Sequence, residues 1–272
     1  MKISPKTLLA AALLTALPMT SAMACTVSMW SGTGTATTAA NAGGPAENVA
    51  RYSGLCALTG NSGEYVIDNS PGAESIYRAR FYVLTRPTSG DVTIFRATAA
   101  DNGAGAEVIK VDFDGTSLKF TQNGTAAGSV TGVSANKWYS VELLYRAGAE
   151  LSATVAGAVS FTGSSSVTTG IGAGTVGSAV LGVVAGTVSG SEKFGFDAFE
   201  STRSETTAIG RLCRGDVNGS NTITVGDRTA VNTEVLSGVY ASGQPDCNED
   251  GQITVGDRTC VNNLILAGTT CG

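Results

Sequence analysis

Hydrophobic and polar residues alternate with period two through the middle of the chain. SIYRARFYVL (75–84) puts Tyr77, Ala79, Phe81 and Val83 on one face. DVTIFRA (91–97), EVIKVDF (107–113), SLKFTQ (117–122) and WYSVELLY (138–145) follow the same rule. LSATVAGAVSFTG (151–163), SAVLGVVAG (178–186) and KFGFDAFES (193–201) complete the series. Successive side chains of a strand point to opposite faces, so each run predicts a half-buried strand. Asp114-Gly115 and Asn123-Gly124 bracket SLKF and predict tight hairpins, because these dipeptides tolerate the backbone such turns need. No stretch of this region carries a helical period. About a dozen short strands predict a mainly β fold, a two-sheet jelly-roll sandwich over residues 25–203.

The pattern changes after a short linker at 204–210. DVNGSNTITVGDRTAVN (216–232) returns as DCNEDGQITVGDRTCVN (246–262). Numbered from Asp216, positions 1, 3, 5, 7, 9 and 12 of the first copy are Asp216, Asn218, Ser220, Thr222, Thr224 and Asp227. The second copy places Asp246, Asn248, Asp250, Gln252, Thr254 and Asp257 there. This is the spacing by which an EF-hand-type loop gathers oxygens around a hard cation: side chains 1, 3 and 5, the carbonyl of 7 and a terminal carboxylate. Position 6 must turn sharply. Gly251 does so freely, and Asn221 is the next-best residue type. Position 8 is Ile223 and Ile253, placed to pack against the twin loop. The spacing predicts two Ca2+ ions, the second held more tightly because its loop supplies three carboxylates against two. Val231, Val235 and Leu236, then Val261, Leu264 and Ile265, predict a helix leaving each loop. Gly238, Gly243 and Pro245 argue against a helix entering the second loop.

Two resemblances follow. ESIYRARFYV, EVIKVDFDGTSLKF, NKWYSVELLYR and the closing GFDAFES (195–201) resemble, over residues 60–203, the concanavalin A-like, laminin-G-like jelly roll. Loop plus exiting helix, twice, over residues 211–272, resembles the type I dockerin module. That resemblance implies a small α module ordered by two calcium ions and binding a cohesin-type partner. By position, partner contacts fall on Val225, Gly226, Asn232 and Thr233, and on Val255, Gly256, Asn262 and Asn263. Val-Gly and Asn-Thr depart from the polar and Lys-Arg pairs common in that family. Self-association and a purely structural cap are the alternatives for the module.

The N-terminus reads as a signal peptide over 1–24. Lys2 and Lys6 precede an apolar run from Leu8 to Leu17 that is too short to span a bilayer, and Ala22-Met23-Ala24 is a small-x-small cleavage site. Cys25 would begin the mature chain. A lipid anchor there is the alternative, though Ala-Met-Ala is a poor lipobox. Six cysteines suit export to an oxidising compartment, secreted, periplasmic or cell-surface. Cys247 and Cys260 occupy the slots of Val217 and Ala230 in the first copy, so they predict a bridge. Cys213 and Cys271 flank the repeat and would clasp its ends. Cys25–Cys56 remains. Arg214-Gly215-Asp216 spells an adhesive tripeptide, but Asp216 is already loop position 1.

The net charge of −5 argues against nucleic acid, and the absence of histidine excludes Ser-His-Asp and Cys-His catalysis. Some jelly-roll relatives are glycosidases with Glu-x-Asp-x-x-Glu on one strand. This chain lacks that motif. Asp197 and Glu200 are expected on opposite faces of their strand, Asp197 capping its edge and Glu200 solvated, and Asp112 and Asp114 sit beside a turn. No catalytic residue is assigned. Trp30, Tyr52, Trp138 and Tyr145 are the aromatics available to stack on a sugar. The sequence therefore predicts an exported calcium-dependent docking protein carrying a non-catalytic glycan- or protein-binding sandwich. A dockerin-tethered glycoside hydrolase and a calcium-rigidified surface protein are the alternatives.

Overall fold

The structure is a computed structural model that describes residues 27, 30–33, 38–40, 51–157, 161–168 and 172–271. The expected signal peptide and Cys25 lie outside the described residues. Strands β1 (Gly32–Thr33), β4 (Glu64–Asp68), β13 (Ser178–Ala185), β6 (Val92–Thr98), β7 (Glu107–Phe113), β8 (Ser117–Gln122) and β9 (Thr125–Thr131) form one sheet in that order. Strands β12 (Thr162–Val167), β11 (Glu150–Gly157), β10 (Trp138–Arg146), β5 (Ile76–Leu84), β14 (Phe194–Thr202), β3 (Ala57–Gly60) and β2 (Thr38–Ala40) form the other. Every neighbouring pair is antiparallel. The molecule is thus a two-sheet sandwich, followed by two helices, α1 (Val225–Ser237) and α2 (Val255–Leu266).

The inward faces meet as the alternation predicts. Tyr77, Ala79, Phe81 and Val83 of β5 are all fully buried in the core. Phe81 stacks on Phe95 of the other sheet, ring centroids 5.2 Å apart, and Phe113 meets Phe194 edge-on at 6.1 Å. The expected hairpins form. Asn123 and Gly124 both take positive φ, 46° and 76°, between β8 and β9. Gly115 does the same at 98° between β7 and β8.

The prediction of half-buried strands fails on the outer face of β5. Arg78, Arg80, Tyr82 and Leu84 point away from the core, yet none is more than 8% exposed. Residues 204–210, expected as a linker, and the two residues after them run across these side chains. Arg78 donates to the carbonyls of Ser204 and Glu205, and Arg80 to that of Gly210. Ile209 and Gly210 donate backbone N–H groups to Glu142, and Leu212 donates to the Tyr82 hydroxyl at 2.8 Å. The strand is covered twice because a polar outer face can be buried when each charge finds a partner.

The repeat then packs on the same face. Arg51 donates two 2.6 Å hydrogen bonds to the Glu234 carboxylate of α1 and one to the Ala241 carbonyl. Its side chain is 0% exposed, and the Tyr240 ring lies 4.6 Å from the guanidinium. Tyr52 stacks on Tyr82 with centroids 3.8 Å apart and meets Trp138 edge-on. Asp197 anchors this segment. It accepts from the N–H groups of Tyr52, Ser53 and Ala198 at 2.7–2.8 Å.

Loss of water around Asp197 pushes its carboxyl up to about 7, against the three donors that favour the charge. A folded pKa above the unfolded value of about 3.9 means the neutral form is favoured on folding. That contribution is full below about pH 4 and is lost as the pH rises through about 7. Urea midpoints across pH 4–8 are expected to fall with rising pH in the wild type, with up to one proton's worth of slope absent from Asp197→Asn. Parallel profiles would rule this out.

Candidate functional site

The two repeats build two loops of one design. In the first, Asp216 accepts from the N–H of Ser220 at 2.9 Å and of Asn221 at 2.7 Å. In the second, Asp246 accepts from Asp250 at 3.1 Å and Gly251 at 2.8 Å. The closing carboxylates are equally matched. Asp227 accepts from Asn218 and Thr224, and Asp257 from Asn248 and Thr254. Position 6 takes positive φ in both, 60° at Asn221 and 81° at Gly251, as the turn demands. At position 3, Asn218 and Asn248 each accept from the N–H of position 5. Position 5 differs: Ser220 pairs with the Thr222 hydroxyl, while Asp250 accepts from Asn248 and Gln252. Thr224 and Thr254 are also the N-caps of α1 and α2, in capping boxes with Asp227 and Asp257.

Four of these carboxylates, Asp216, Asp227, Asp246 and Asp257, are at most 4% exposed. Among the described residues no lysine or arginine pairs with any of them. Buried charge without a counter-charge is costly, so the donor set fits a hard cation. Crowding is visible in the second loop. Burial, and after it the charges of Asp257 and Asp250, hold the Asp246 carboxyl well above the ordinary range. Burial, with Asp250 adding to it, lifts Asp257 to about 6. Among the described residues no three acidic or cysteine side chains converge as a ready-made metal cluster. The remaining ligands of the expected sets are amide, hydroxyl and carbonyl oxygens.

A small core holds the loops together. Val217, Val231, Cys247 and Val261 are fully buried and pack with Ala230, Cys260 and Ile253. Cys247–Cys260 and Cys213–Cys271 are bridged, with Cα atoms 5.8 Å and 5.1 Å apart, as the repeat symmetry and the flanking positions predict. Cys56 is also disulfide-bonded.

The expected partner residues are exposed or half-buried. Val225 and Val255 stand 54% and 61% exposed at equivalent helix starts. Thr233 and Asn263 are exposed, and Asn232 and Asn262 half-buried. Gly226 and Gly256 do a different job: a Cβ at either would press on Asn218 or Asn248 at 3.1 Å. Arg228 and Arg258 were not singled out from sequence. With Thr229, Thr259, Asn232 and Asn262 they line a groove of about 510 Å3 between the helices. Arg228 donates to Asn262 and Arg258 to Asn232, at 3.2 and 3.3 Å, a pseudo-two-fold exchange. The invariant DRT of both copies was the available signal.

The sandwich offers less. Tyr52, Trp138 and Tyr145 are buried and so are not open sugar platforms, while Trp30 is half-buried and packs on Phe199. Glu200 pairs with Arg80 and its side chain is mostly exposed. A bulge in β14 separates Asp197 from Glu200, with Ala198 at φ 47°. Asp112 is held by Thr93 and Lys110, and Asp114 caps its turn.

No protein-family model and no curated protein matches the chain. Among solved structures, alginate lyase A1-II', a member of polysaccharide lyase family 7, is 15% identical over 54% of this chain and 80% of that chain, with a TM-score of 0.39. The receptor binding domain of botulinum neurotoxin type G is 14% identical over 60% and 42%, also at 0.39. A mutant of Trypanosoma rangeli sialidase is 13% identical over 61% and 27%, again at 0.39. Similarity at this level says nothing about what this chain does. No helix among the described residues is long and apolar enough to cross a membrane.

Proposed function

We propose that the chain is an exported calcium-binding protein whose dockerin-like C-terminus docks a non-catalytic, concanavalin A-like sandwich onto a cohesin-type partner. The observation that carries this is the pair of twin loops with buried, uncompensated carboxylates. Asp216, Asn218, Ser220, Thr222 and Asp227 would hold one ion. Asp246, Asn248, Asp250, Gln252 and Asp257 would hold the other, more tightly because it meets one more carboxylate. A bound divalent cation supplies the positive charge these loops lack. The two disulfides fit an oxidising, extracytoplasmic setting.

A docking role is supported by where apolar surface is left open. The large hydrophobics standing exposed among the described residues are Val225, Leu236, Val239, Tyr240, Val255 and Leu266. All lie in the repeat region, and two pairs of them are equivalent by the repeat. Exposed apolar surface rimmed by polar groups marks interaction sites. Immobilised mature chain, probed with secreted and envelope fractions of its source, is expected to retain one protein in calcium and release it in chelator. Retention indifferent to chelator would sink the proposal.

The twin faces allow two related docking orientations. Arg228→Glu or Arg258→Glu alone is therefore expected to weaken partner binding by less than about threefold, and the pair together by at least about a hundredfold. Full loss from one single change would show that one orientation alone is used.

A further inference from the structure

The two loops are twins in sequence but not in surroundings. In the first, positions 3 to 6 (Asn218, Gly219, Ser220, Asn221) are exposed. In the second, Glu249 is 0% exposed and Gly251 is buried. The sandwich covers them. The Glu249 carboxylate accepts from the Tyr52 hydroxyl at 2.8 Å and from the Arg211 guanidinium. Its carbonyl accepts from the N–H of Trp138 at 3.0 Å, the first residue of β10. A Cβ on Gly251 would meet a Leu84 methyl at 2.8 Å.

Three departures from repeat symmetry map onto this contact. Position 4 is Gly219 in the first loop and Glu249 in the second, both at positive φ, 73° and 58°. Glycine takes that backbone freely; glutamate takes it only when its surroundings hold it there. Tyr52, Arg211 and Trp138 are what holds it. Position 6 is Asn221 where there is room and Gly251 where Leu84 leaves none. Thirty residues before Leu264, which packs within the repeat, stands Glu234, which pairs with Arg51. The repeat is thus fitted to the sandwich at both copies: at Glu234 in the first, and at Glu249 and Gly251 in the loop of the second.

Resting on the calcium reading above, we infer that the sandwich, together with the segment 204–212 that crosses it, completes the second cation loop: Tyr52 of the sandwich and Arg211 of that segment are positioning residues for it, acting through Glu249. Glu249 lies between two expected ligands, Asn248 and Asp250. Fixing its backbone from both side chain and carbonyl sets the spacing of those ligands in advance. The first loop is held from within the repeat instead, its Asn218 carbonyl accepting from the Ser242 hydroxyl at 2.9 Å. Cation affinity at the second loop and docking of the repeat on the sandwich are then one coupled equilibrium, and each strengthens the other by the same factor.

The test is calcium titration calorimetry on the full mature chain. To separate the sites, the measurement is made in Asp227→Asn, which reports the second loop, and in Asp257→Asn, which reports the first. Tyr52→Phe removes one hydroxyl and keeps the ring stacked on Tyr82. It is expected to weaken the second loop about tenfold, the worth of one hydrogen bond to a charged group, and to leave the first unchanged. Arg211→Gln is the independent variant and is expected to act the same way. Circular dichroism in chelator checks that each variant is folded. Equal weakening of both loops, or no change in either, would overturn the inference while calcium binding stands. Absence of any calcium binding in the unsubstituted chain would overturn the calcium reading itself, and the inference with it.

Discussion

Replacing Glu234 with alanine is expected to destabilise the protein by about 3–5 kcal/mol, because it strands the Arg51 charge in a dry contact. The guanidinium is 0% exposed and its two terminal nitrogens are committed to that carboxylate. Its remaining partners are the Gly54 and Ala241 carbonyls and the Tyr240 ring. These satisfy hydrogen bonds but supply no full counter-charge. Urea unfolding at pH 7 would measure the loss. Arg51→Met with Glu234→Leu should recover most of it, since well-packed apolar pairs replace buried ion pairs at little cost. A loss below about 1 kcal/mol for Glu234→Ala would mean that water reaches Arg51 and that the repeat is only loosely held on the sandwich.

Asp257→Asn should change sign with the metal. Without calcium, burial and the Asp250 charge lift the Asp257 carboxyl to about 6. Its folded pKa is above the unfolded one, so its contribution is full below about pH 4 and lost as the pH rises through about 6. At pH 7.5 in chelator the ionised group is therefore a burden. The amide removes the charge but accepts from only one of the Asn248 and Thr254 N–H groups, which bond to different carboxylate oxygens, so part of the gain is offset. The variant is expected to match or exceed the wild type by up to about 2 kcal/mol. With calcium at about a hundred times its dissociation constant, the wild type gains about 2.7 kcal/mol at that loop and the variant does not. The two stability curves should cross between chelator and calcium. A variant weaker by the same amount in both conditions would show that Asp257 serves as a helix cap alone.

Period-two alternation determined that the first part of the chain is strands, and it named the inward set on β5 correctly. Local rules sufficed because each strand's core face is encoded within its own few residues. Asn123-Gly124 determined its hairpin for the same reason: the turn's backbone is a property of two residues. Repeat symmetry determined the loop register, the positive φ at Asn221 and Gly251, the two exiting helices and the Cys247–Cys260 bridge, and the flanking positions of Cys213 and Cys271 determined theirs. A 12-residue loop closes on itself, so its register and its turn at position 6 are local, although what holds Glu249 is not.

The tertiary structure decided everything that depends on a second face. Arg78, Arg80, Tyr82 and Leu84 alternate like solvent-facing residues, and are buried because the 204–212 strap and the repeat lie over them. Glu234 and Glu249 look like surface acids on a helix and a loop, and nothing near them in sequence announces Arg51, 183 residues away, or Tyr52, 197 away. Tyr52 carries no sign in its own segment that it is buried, yet with Trp138, expected in a core, it wedges between sandwich and repeat. Arg228 and Arg258 become one groove only when α1 and α2 pack together. Sequence patterns record which way a side chain leaves its own element. They do not record what arrives on the other side, because a long-range contact is specified jointly by two segments whose spacing along the chain is arbitrary.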